Sequence, residues 1–470
     1  MQQHDRRHIE TTRTRRTTLR GRLTALLVVV ALTAVMAPGA ALAESPRPDP
    51  LATPAAIPSP APVVPTGPTT LADTVTFHGR GYGHGVGMSQ YGARGRALAG
   101  QDSTAILTHY YWGVALVPID PATRIRVLVM SKWAATLAKP LVMYGRVGTW
   151  SIDGIGTEFP ANARLRLFPS LDAAGAATGA WRLLIDAADL SVLYDGPAPA
   201  DLTLRATGPE ARLQVWSKPT TYDWYRGSIR VLVHSATRVS VVNDVSLEEY
   251  LAGVVPVEMP STWPAAALQA QAIAARSYAA RRLRPGVSYF DVPDDSTSQI
   301  YRGVKAEKAT TTAAIAATAG TVMMTGSTIA NALFHSTGGG ATESNENVYT
   351  SASGKRIAKP VSYLRGSSDR AEDNTAYDAR APHATWATRT YARQQLSAIF
   401  AADPRTNVGD LIALDFGNRG VSGRLVSVTL LGSTGTRSVS GEVFRAVFNA
   451  RRPSADPSLK STLLDIAPIP

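Results

Sequence analysis

The chain contains no cysteine in 470 residues. Thiolate metal ligands, a cysteine nucleophile and disulfides are therefore excluded, and the fold must rest on its core alone. After the first forty residues there is no apolar run long enough to cross a bilayer as a helix. Lys and Arg are in excess, with a formal net charge of +12, but they form no cluster of the kind that grips nucleic acid. No Gly-Lys-Ser/Thr phosphate loop and no G-x-S-x-G elbow is present. Nucleotide chemistry and the usual serine-hydrolase frame have no foothold here.

What is present at the N-terminus reads as an export signal. Arg6, Arg7, Arg13, Arg15, Arg16, Arg20 and Arg22 precede an apolar run from Leu23 to Ala37, and Ala41-Leu42-Ala43 offers a small-x-small cleavage site. The alternative is an uncleaved anchor. Thr14-Arg15-Arg16-Thr17-Thr18-Leu19-Arg20 is similar to a twin-arginine signal but has no aromatic at Thr18, which leaves the export route open. Removal of residues 1–43 leaves +7 on the rest. That mild excess suits an anionic polymer and is equally ordinary for a soluble protein. The expectation is a secreted protein that is not integral to the membrane after cleavage.

Residues 44–72 form a Pro-rich linker, with nine prolines between positions 44 and 70. From about 119 to 245 the pattern is β-rich: Arg124–Met130, Arg164–Leu167, Leu202–Arg205, Ser228–His234 and Val239–Val245 mix aliphatic and polar residues between Gly, Pro and Asp turns. The pattern then turns helical. Ser246 and Glu249 form a capping box, and Pro264 stands early in a second helix running to about Arg284. Leu268, Ala272, Ala275 and Ala279 share one stripe of that helix. A hairpin over 424–439 and a last helix from near Ser440 follow.

Two segments carry chemistry. In Phe77-His78-Gly79-Arg80-Gly81-Tyr82-Gly83-His84-Gly85-Val86-Gly87-Met88-Ser89-Gln90-Tyr91-Gly92, glycine takes every second place from 79 to 87. Read as a strand, one face is bare backbone open to close approach, and the other carries His78, Arg80, Tyr82, His84, Val86 and Met88. A purely structural strand is the alternative. In the second segment Glu258 stands alone among Val254, Val255, Pro256, Val257, Met259, Pro260 and Trp263, in a proline-bounded connection between two helices. Partial burial there raises a carboxyl pKa, as a general acid near neutral pH requires. The alternative is a structural Glu paired with Arg276 or a backbone amide.

The second segment resembles the core of the SpoIID/LytB family: Glu249-Tyr250-Leu251, Gly253-Val254-Val255, Glu258-Met259-Pro260, and Ala267-Leu268 through Ala270-Gln271-Ala272-Ile273-Ala274-Ala275-Arg276 to Tyr278-Ala279. Ser298-Gln299-Ile300-Tyr301-Arg302-Gly303, Ala313–Thr325, Phe334-His335-Ser336-Thr337-Gly338-Gly339, Thr342-Glu343 and Pro360–Gly366 continue it in family order, and the Gly-His-Gly segment is another hallmark. The resemblance covers 245–366 densely and 77–115 well. It implies an α+β fold: a β-rich catalytic domain with a capping helix pair and an inserted all-β region. The expected parts are a Gly-rich segment (73–118), the β-rich insert (119–240) and the core with its hairpin and helix (241–470).

The resemblance also implies a function. The family's best-known member is a sporulation enzyme, a lytic transglycosylase acting on peptidoglycan glycan strands stripped of stem peptides. Its essential acid falls on Glu258. One carboxylate suffices for that reaction, whereas hydrolysis usually needs two, for which Asp291, Asp294, Asp295 and Glu343 are available. Arg276, Tyr278, Gln271, Tyr301, His335, Ser336, His84, Ser89 and Gln90 are the expected substrate-binding residues. Other members are described as enhancers of a wall amidase, so a non-cutting glycan-binding modifier is the alternative, and a structural wall protein a third. Two departures stand out. The Gly-His-Gly segment precedes the Glu-Met-Pro core here, whereas in many relatives it follows, as in a permuted chain whose strand joins from the other end. Some members bind zinc through Cys and His; His335 alone is a poor zinc site, and no metal or other cofactor is expected.

Overall fold

The computed structural model describes residues 67–469. The export segment and nearly all of the linker lie outside the described residues. The last linker residues do not: Thr69–Thr70 pairs antiparallel with Leu411–Asp415, and Leu71 is buried.

The fold is α+β and β-rich. In chain order its helices are α1 (Gln90–Leu98), α2 (Ser103–Tyr110), α3 (Leu247–Glu258), α4 (Ala265–Ala280), α5 (Ala309–Ala317), α6 (Asn345–Val348), α7 (Arg393–Ala401) and α8 (Gly441–Arg451). Among the described residues no helix is long and apolar enough to cross a membrane.

Eleven strands make one sheet. Its order is Val192–Pro197, Ala177–Asp186, Arg164–Leu171, Leu141–Ile152, Leu202–Gln214, Ser228–Ser235, Arg238–Ser246, Arg124–Ala134 and Val292–Pro293, with Ile155–Phe159 and Trp224–Tyr225 paired at the side. Alternation explains these strands. Leu165, Leu167 and Pro169 are buried between Arg164, Arg166 and Phe168, as a side-chain period of two requires. The boundary expected at 240/241 falls inside the strand Arg238–Ser246. One apolar core runs from Trp181, Leu183 and Leu204 through Val241 to Leu251, Val254 and Ala275 on the helices.

The helix pair follows from local chemistry. Ser246 caps α3, accepting from Glu249 N at 3.3 Å, and its hydroxyl donates to the Glu249 carboxylate at 2.8 Å. Met259 is extended, as a residue before proline prefers, so α3 stops at Glu258. Pro264 directly precedes α4, where its missing N–H costs nothing. The expected stripe of α4 is buried, but so is most of its circumference. The helix is also shorter than expected. Arg282 N turns to Ala279 O at 2.9 Å, a tightened last turn, before Pro285-Gly286 redirects the chain.

A smaller layer closes the C-terminal part. Ser427–Gly432 and Gly435–Ser440 form the expected hairpin, and Ser440 caps α8 by accepting from Val443 N at 3.1 Å. Phe77, Phe400, Phe444 and Phe448 pack there, with Phe77 edge-on to Phe444 and Phe448 at 5.8 and 5.5 Å.

The Gly-rich segment corrects the expectation. Between Gly79 and Gly87 the only strand residues belong to His78–Arg80, paired with Thr385–Ala387 and Leu464–Asp465. Gly81, Gly83, Gly85 and Gly87 all have positive φ, at 75°, 105°, 85° and 70°. The alternate glycines therefore serve a winding thread rather than a flat bare face. Close approach is nonetheless real: a Cβ on Gly87 would lie 2.0 Å from the Leu333 carbonyl oxygen. Beyond the thread, Met88–Ser89 pairs parallel with Phe334–His335. The segment thus joins the later part of the chain. Gly87→Ala combines a left-handed φ with a backbone clash, and is predicted to cost about 3 kcal/mol or more in denaturant unfolding.

Candidate functional site

Glu258 is the last residue of α3, half-buried, with one hydrogen bond to its carboxylate, from Ile300 N at 3.3 Å. Burial raises its pKa above the ordinary carboxylate value, and the Ile300 amide opposes that rise. The C-terminal end of a helix, rich in carbonyl oxygens, also disfavours a negative charge. Of the two structural partners considered for Glu258, the backbone amide is present and Arg276 is not.

The Gly-rich segment reaches this acid directly. Gln90 Nε2 donates to the Glu258 carbonyl at 3.0 Å and to Gln271 Oε1 at 3.3 Å. Both glutamine side chains are buried. The Tyr91 ring meets Trp263 edge-on at 4.7 Å, and Arg94 lies 5.7 Å from the same indole. Tyr278 is half-buried beneath the Arg282 guanidinium, 3.2 Å from its ring centre. The buried Tyr250 hydroxyl donates to Gln299 Oε1 at 3.2 Å and lies within electrostatic reach of Glu258, Tyr278 and Arg282. Tyr250 and Arg282 were not among the expected residues. Tyr250 carried a signal in its motif, and Arg282 only its position four residues after Tyr278.

Four expected residues sit elsewhere. Arg276 is fully buried and forks onto Glu248 at 2.8 and 2.7 Å, with further bonds to the Thr321 and Ile315 carbonyls. It ties α4 to α3 and is not a cleft residue. Tyr301 is also core: its hydroxyl donates to Asn243 Oδ1 at 2.9 Å, and its ring lies between Tyr225 and Tyr250. Ser89 is buried as the cap of α1, accepting from Gly92 N at 3.1 Å and Gly338 N at 3.0 Å. Ser336 faces the Thr337 hydroxyl, and its carbonyl accepts from Tyr91 N at 3.0 Å.

His84 and His335 form a second cluster, under the glycine thread. Their rings are 5.5 Å apart. His84 Nδ1 accepts from Val86 N at 3.0 Å, and His335 Nδ1 lies 3.3 Å from the Val86 carbonyl. Burial, with the nearby Arg424 guanidinium, pushes His84 down to about 4. Burial also pushes His335 well below the usual imidazole range, helped by His84 and Arg424. Both are neutral at pH 7. Among the described residues no group of three His, Asp or Glu is placed to hold a metal ion.

The other carboxylates considered have partners. Asp291 pairs with Arg126 at 2.7 Å, Asp294 with Lys218, and Asp295 with Thr297. Glu343 is buried in a cage of the Val421, Ser422 and Ser344 amides, the Ser422 hydroxyl at 2.6 Å and Asn347 Nδ2 at 2.8 Å.

The site is thus a single half-buried carboxylate at a helix end, flanked by amides, tyrosines and a guanidinium in a β-rich α+β frame. The family model for Stage II sporulation protein, SpoIID, matches residues 235–324, the stretch holding α3, Glu258 and α4. Over that stretch the chain carries a SpoIID-type segment. It is 31% identical over 146 residues to the Amidase enhancer of Bacillus subtilis (strain 168), covering 30% of this chain and 20% of that protein. It is 51% identical over 47 residues to Stage II sporulation protein D of Bacillus amyloliquefaciens, covering 10% and 14%. A protein of Brachyspira hyodysenteriae matches at 33% over 127 residues, covering 27% and 34%. These matches therefore span between 14% and 34% of each relative's own length.

Two predictions follow from burial. Arg276→Ala strands Glu248 and removes the buried bonds to the Thr321 and Ile315 carbonyls, and should lower stability by about 3 kcal/mol in chemical denaturation. Folded Glu258 holds its proton to higher pH than the unfolded chain, so wild-type stability is lost as pH rises from the ordinary carboxylate range through the folded pKa. Glu258→Gln should therefore melt above wild type at pH 7, with the gap closing near pH 4. An unchanged or reversed gap contradicts the burial assignment.

Proposed function

We propose that this chain acts on the bacterial cell wall and cleaves peptidoglycan glycan strands by lytic transglycosylation, with Glu258 as the sole acid and base. The observation that carries this reading is one half-buried carboxylate of raised pKa, while Asp291, Asp294, Asp295 and Glu343 are each committed to other partners. Protonated Glu258 gives its proton to the glycosidic oxygen as the bond from C1 of the muramoyl sugar breaks. The resulting carboxylate takes the proton of the same sugar's C6 hydroxyl, whose oxygen closes on C1. The products are a 1,6-anhydro end, a free 4-hydroxyl and a reprotonated Glu258, with no water consumed.

The surroundings suit that cycle. The Ile300 amide stabilises the carboxylate stage, and burial favours the acid stage. Gln90 fixes the Glu258 backbone through its carbonyl. Tyr278 and Arg282 offer a ring and a cation for sugar and lactyl carboxylate. None of the four carboxylates weighed as a second acid is free of a partner, which favours this cycle over two-carboxylate hydrolysis. The match to a protein named Amidase enhancer favours a second reading, in which this chain binds strands and modifies a wall amidase without cutting. The N-terminal export pattern supports a site of action outside the cytoplasm, at the wall, for either activity.

The test is a digest of purified, peptide-free glycan strands by the mature chain, analysed by mass spectrometry. Wild type should release 1,6-anhydro-muramoyl ends, and Glu258→Gln should do so roughly 100- to 10,000-fold more slowly. Reducing ends in place of anhydro ends would make the chain a hydrolase. Binding without cutting by both proteins would leave the amidase-modifier reading in its place.

A further inference from the structure

The eleven-stranded sheet carries side chains that the chemistry at Glu258 does not use. Trp216 is 57% exposed and Tyr222 38%. Single exposed aromatics are ordinary, but these are accompanied by half-buried Tyr144 and Trp224, and each ring has a cation over or beside it. The Arg146 guanidinium stands 3.8 Å from the Tyr144 ring and 5.8 Å from that of Trp216, Arg302 is 5.3 Å from Tyr222, and Lys305 is 5.4 Å from Trp224.

Among the described residues, two of these cations have no acidic partner. Arg146 bonds to neutral acceptors, Gln214 Oε1 at 2.5 Å and Asn162 Oδ1 at 3.2 Å. Arg302 makes no ion pair among the described residues. Most other arginines of this sheet are paired, such as Arg182 with Asp195, Arg205 with Asp153 and Arg230 with Asp201. The strip therefore combines apolar ring faces with positive charge left for an outside partner.

The strip is also rigid and tied to the acid. Gln214 and Lys305 both hold Asp223, at 2.5 and 3.0 Å. Lys218 bonds the Tyr225 hydroxyl at 2.7 Å and the Asp294 carboxylate. The Asp294 carbonyl in turn accepts from Tyr301 N at 3.2 Å, next to the Ile300 amide that meets Glu258. The loop bearing Trp216 and Tyr222 is thus fastened to the loop that positions Glu258.

We propose that Tyr144, Arg146, Trp216, Tyr222 and Arg302 form a docking surface for an acidic polysaccharide, which guides a glycan strand to the Glu258 cleft. This rests on the glycan-strand reading above. A pyranose ring has an apolar face of C–H groups that stacks on an aromatic ring, and a strand of lactyl-bearing sugars presents carboxylates at regular spacing. Arg146 and Arg302 match those carboxylates, as guanidinium–carboxylate pairing is the strong form of such contacts. Single-stranded nucleic acid also uses aromatic rings with cations, and it is the competing ligand in the test.

Binding is measured with the full mature chain carrying Glu258→Gln, so that strands are not consumed. The ligands are peptide-free glycan strands, neutral chitin oligosaccharide of matched length, and an oligothymidylate. Trp216→Ala with Tyr222→Ala should weaken both sugar polymers about 10-fold or more, close to 1.4 kcal/mol. Arg146→Gln with Arg302→Gln should weaken the acidic strands alone and flatten their salt dependence. Val233→Ala, at a 52% exposed residue of the same sheet, should change nothing. Parent-like strand binding by both double variants overturns the docking surface and leaves the glycan reading standing. A parent that binds no strand overturns both, and tighter binding of oligothymidylate assigns the surface to nucleic acid and overturns the proposal.

Discussion

The helix Leu247–Glu258 has to end where it does, because Pro260 forces Met259 out of the helical region. That stop leaves the carboxylate of Glu258 at a carbonyl-rich helix end, half out of water, where the neutral acid is favoured. Both sides of the residue are then taken from distant parts of the chain. Gln90 binds its carbonyl, and the Ile300 amide binds its carboxylate. Tyr250, about two helical turns upstream, supports Gln299 in the Ile300 loop. Without the stop, the Glu258 carbonyl would bond within a longer helix and would not be left for Gln90.

A second constraint lies under the glycine thread. Arg424 is buried and donates to the Gly338 carbonyl at 2.7 Å and the Ala341 carbonyl at 3.1 Å. A Cβ on Gly85 would lie 2.4 Å from its guanidinium. The two histidines are held neutral beside this fixed cation. The thread is therefore a close-packed path around a buried charge, and it delivers Gln90 and Tyr91 to the acid as a by-product of that packing.

Much of this was legible in the residues. Ser246 and Glu249 announced the start of α3, the alternation around Leu165 and Leu167 announced strands, and Glu258 stood out as a lone acid among apolar neighbours. The β-rich class and the final hairpin and helix followed from the same periodicities. What was not legible was long-range pairing. Alternating glycine has the same spelling whether it makes a bare strand face or a run of left-handed turns, and only the approach of Leu333 and Arg424 decides between them. Arg276 sits in a family motif, which marks it as important without saying for what; its fork onto Glu248 appears only once two helices are packed. Tyr301 adjoins the residue that touches Glu258, yet alternation turns its own side chain into the core. Arg282 lies just past the Ala279 end of the quoted motif and offered little beyond a helical spacing from Tyr278.

The stitching of early to late chain has a consequence in time. The Arg80 carbonyl accepts from the Ser461 hydroxyl at 2.6 Å across 381 positions, and His78–Arg80 lies between strands from 385–387 and 464–465. Contacts of such separation close slowly, because the loop entropy is lost before the contact is gained. The α3–α4 pair and much of the large sheet are local enough to form early. The glycine thread, and with it the Gln90 bond to Glu258, waits for the last strand to arrive. A chain held extended during synthesis or transport thus carries its acid without the shell that completes it, and maturation of the site is coupled to completion of the fold.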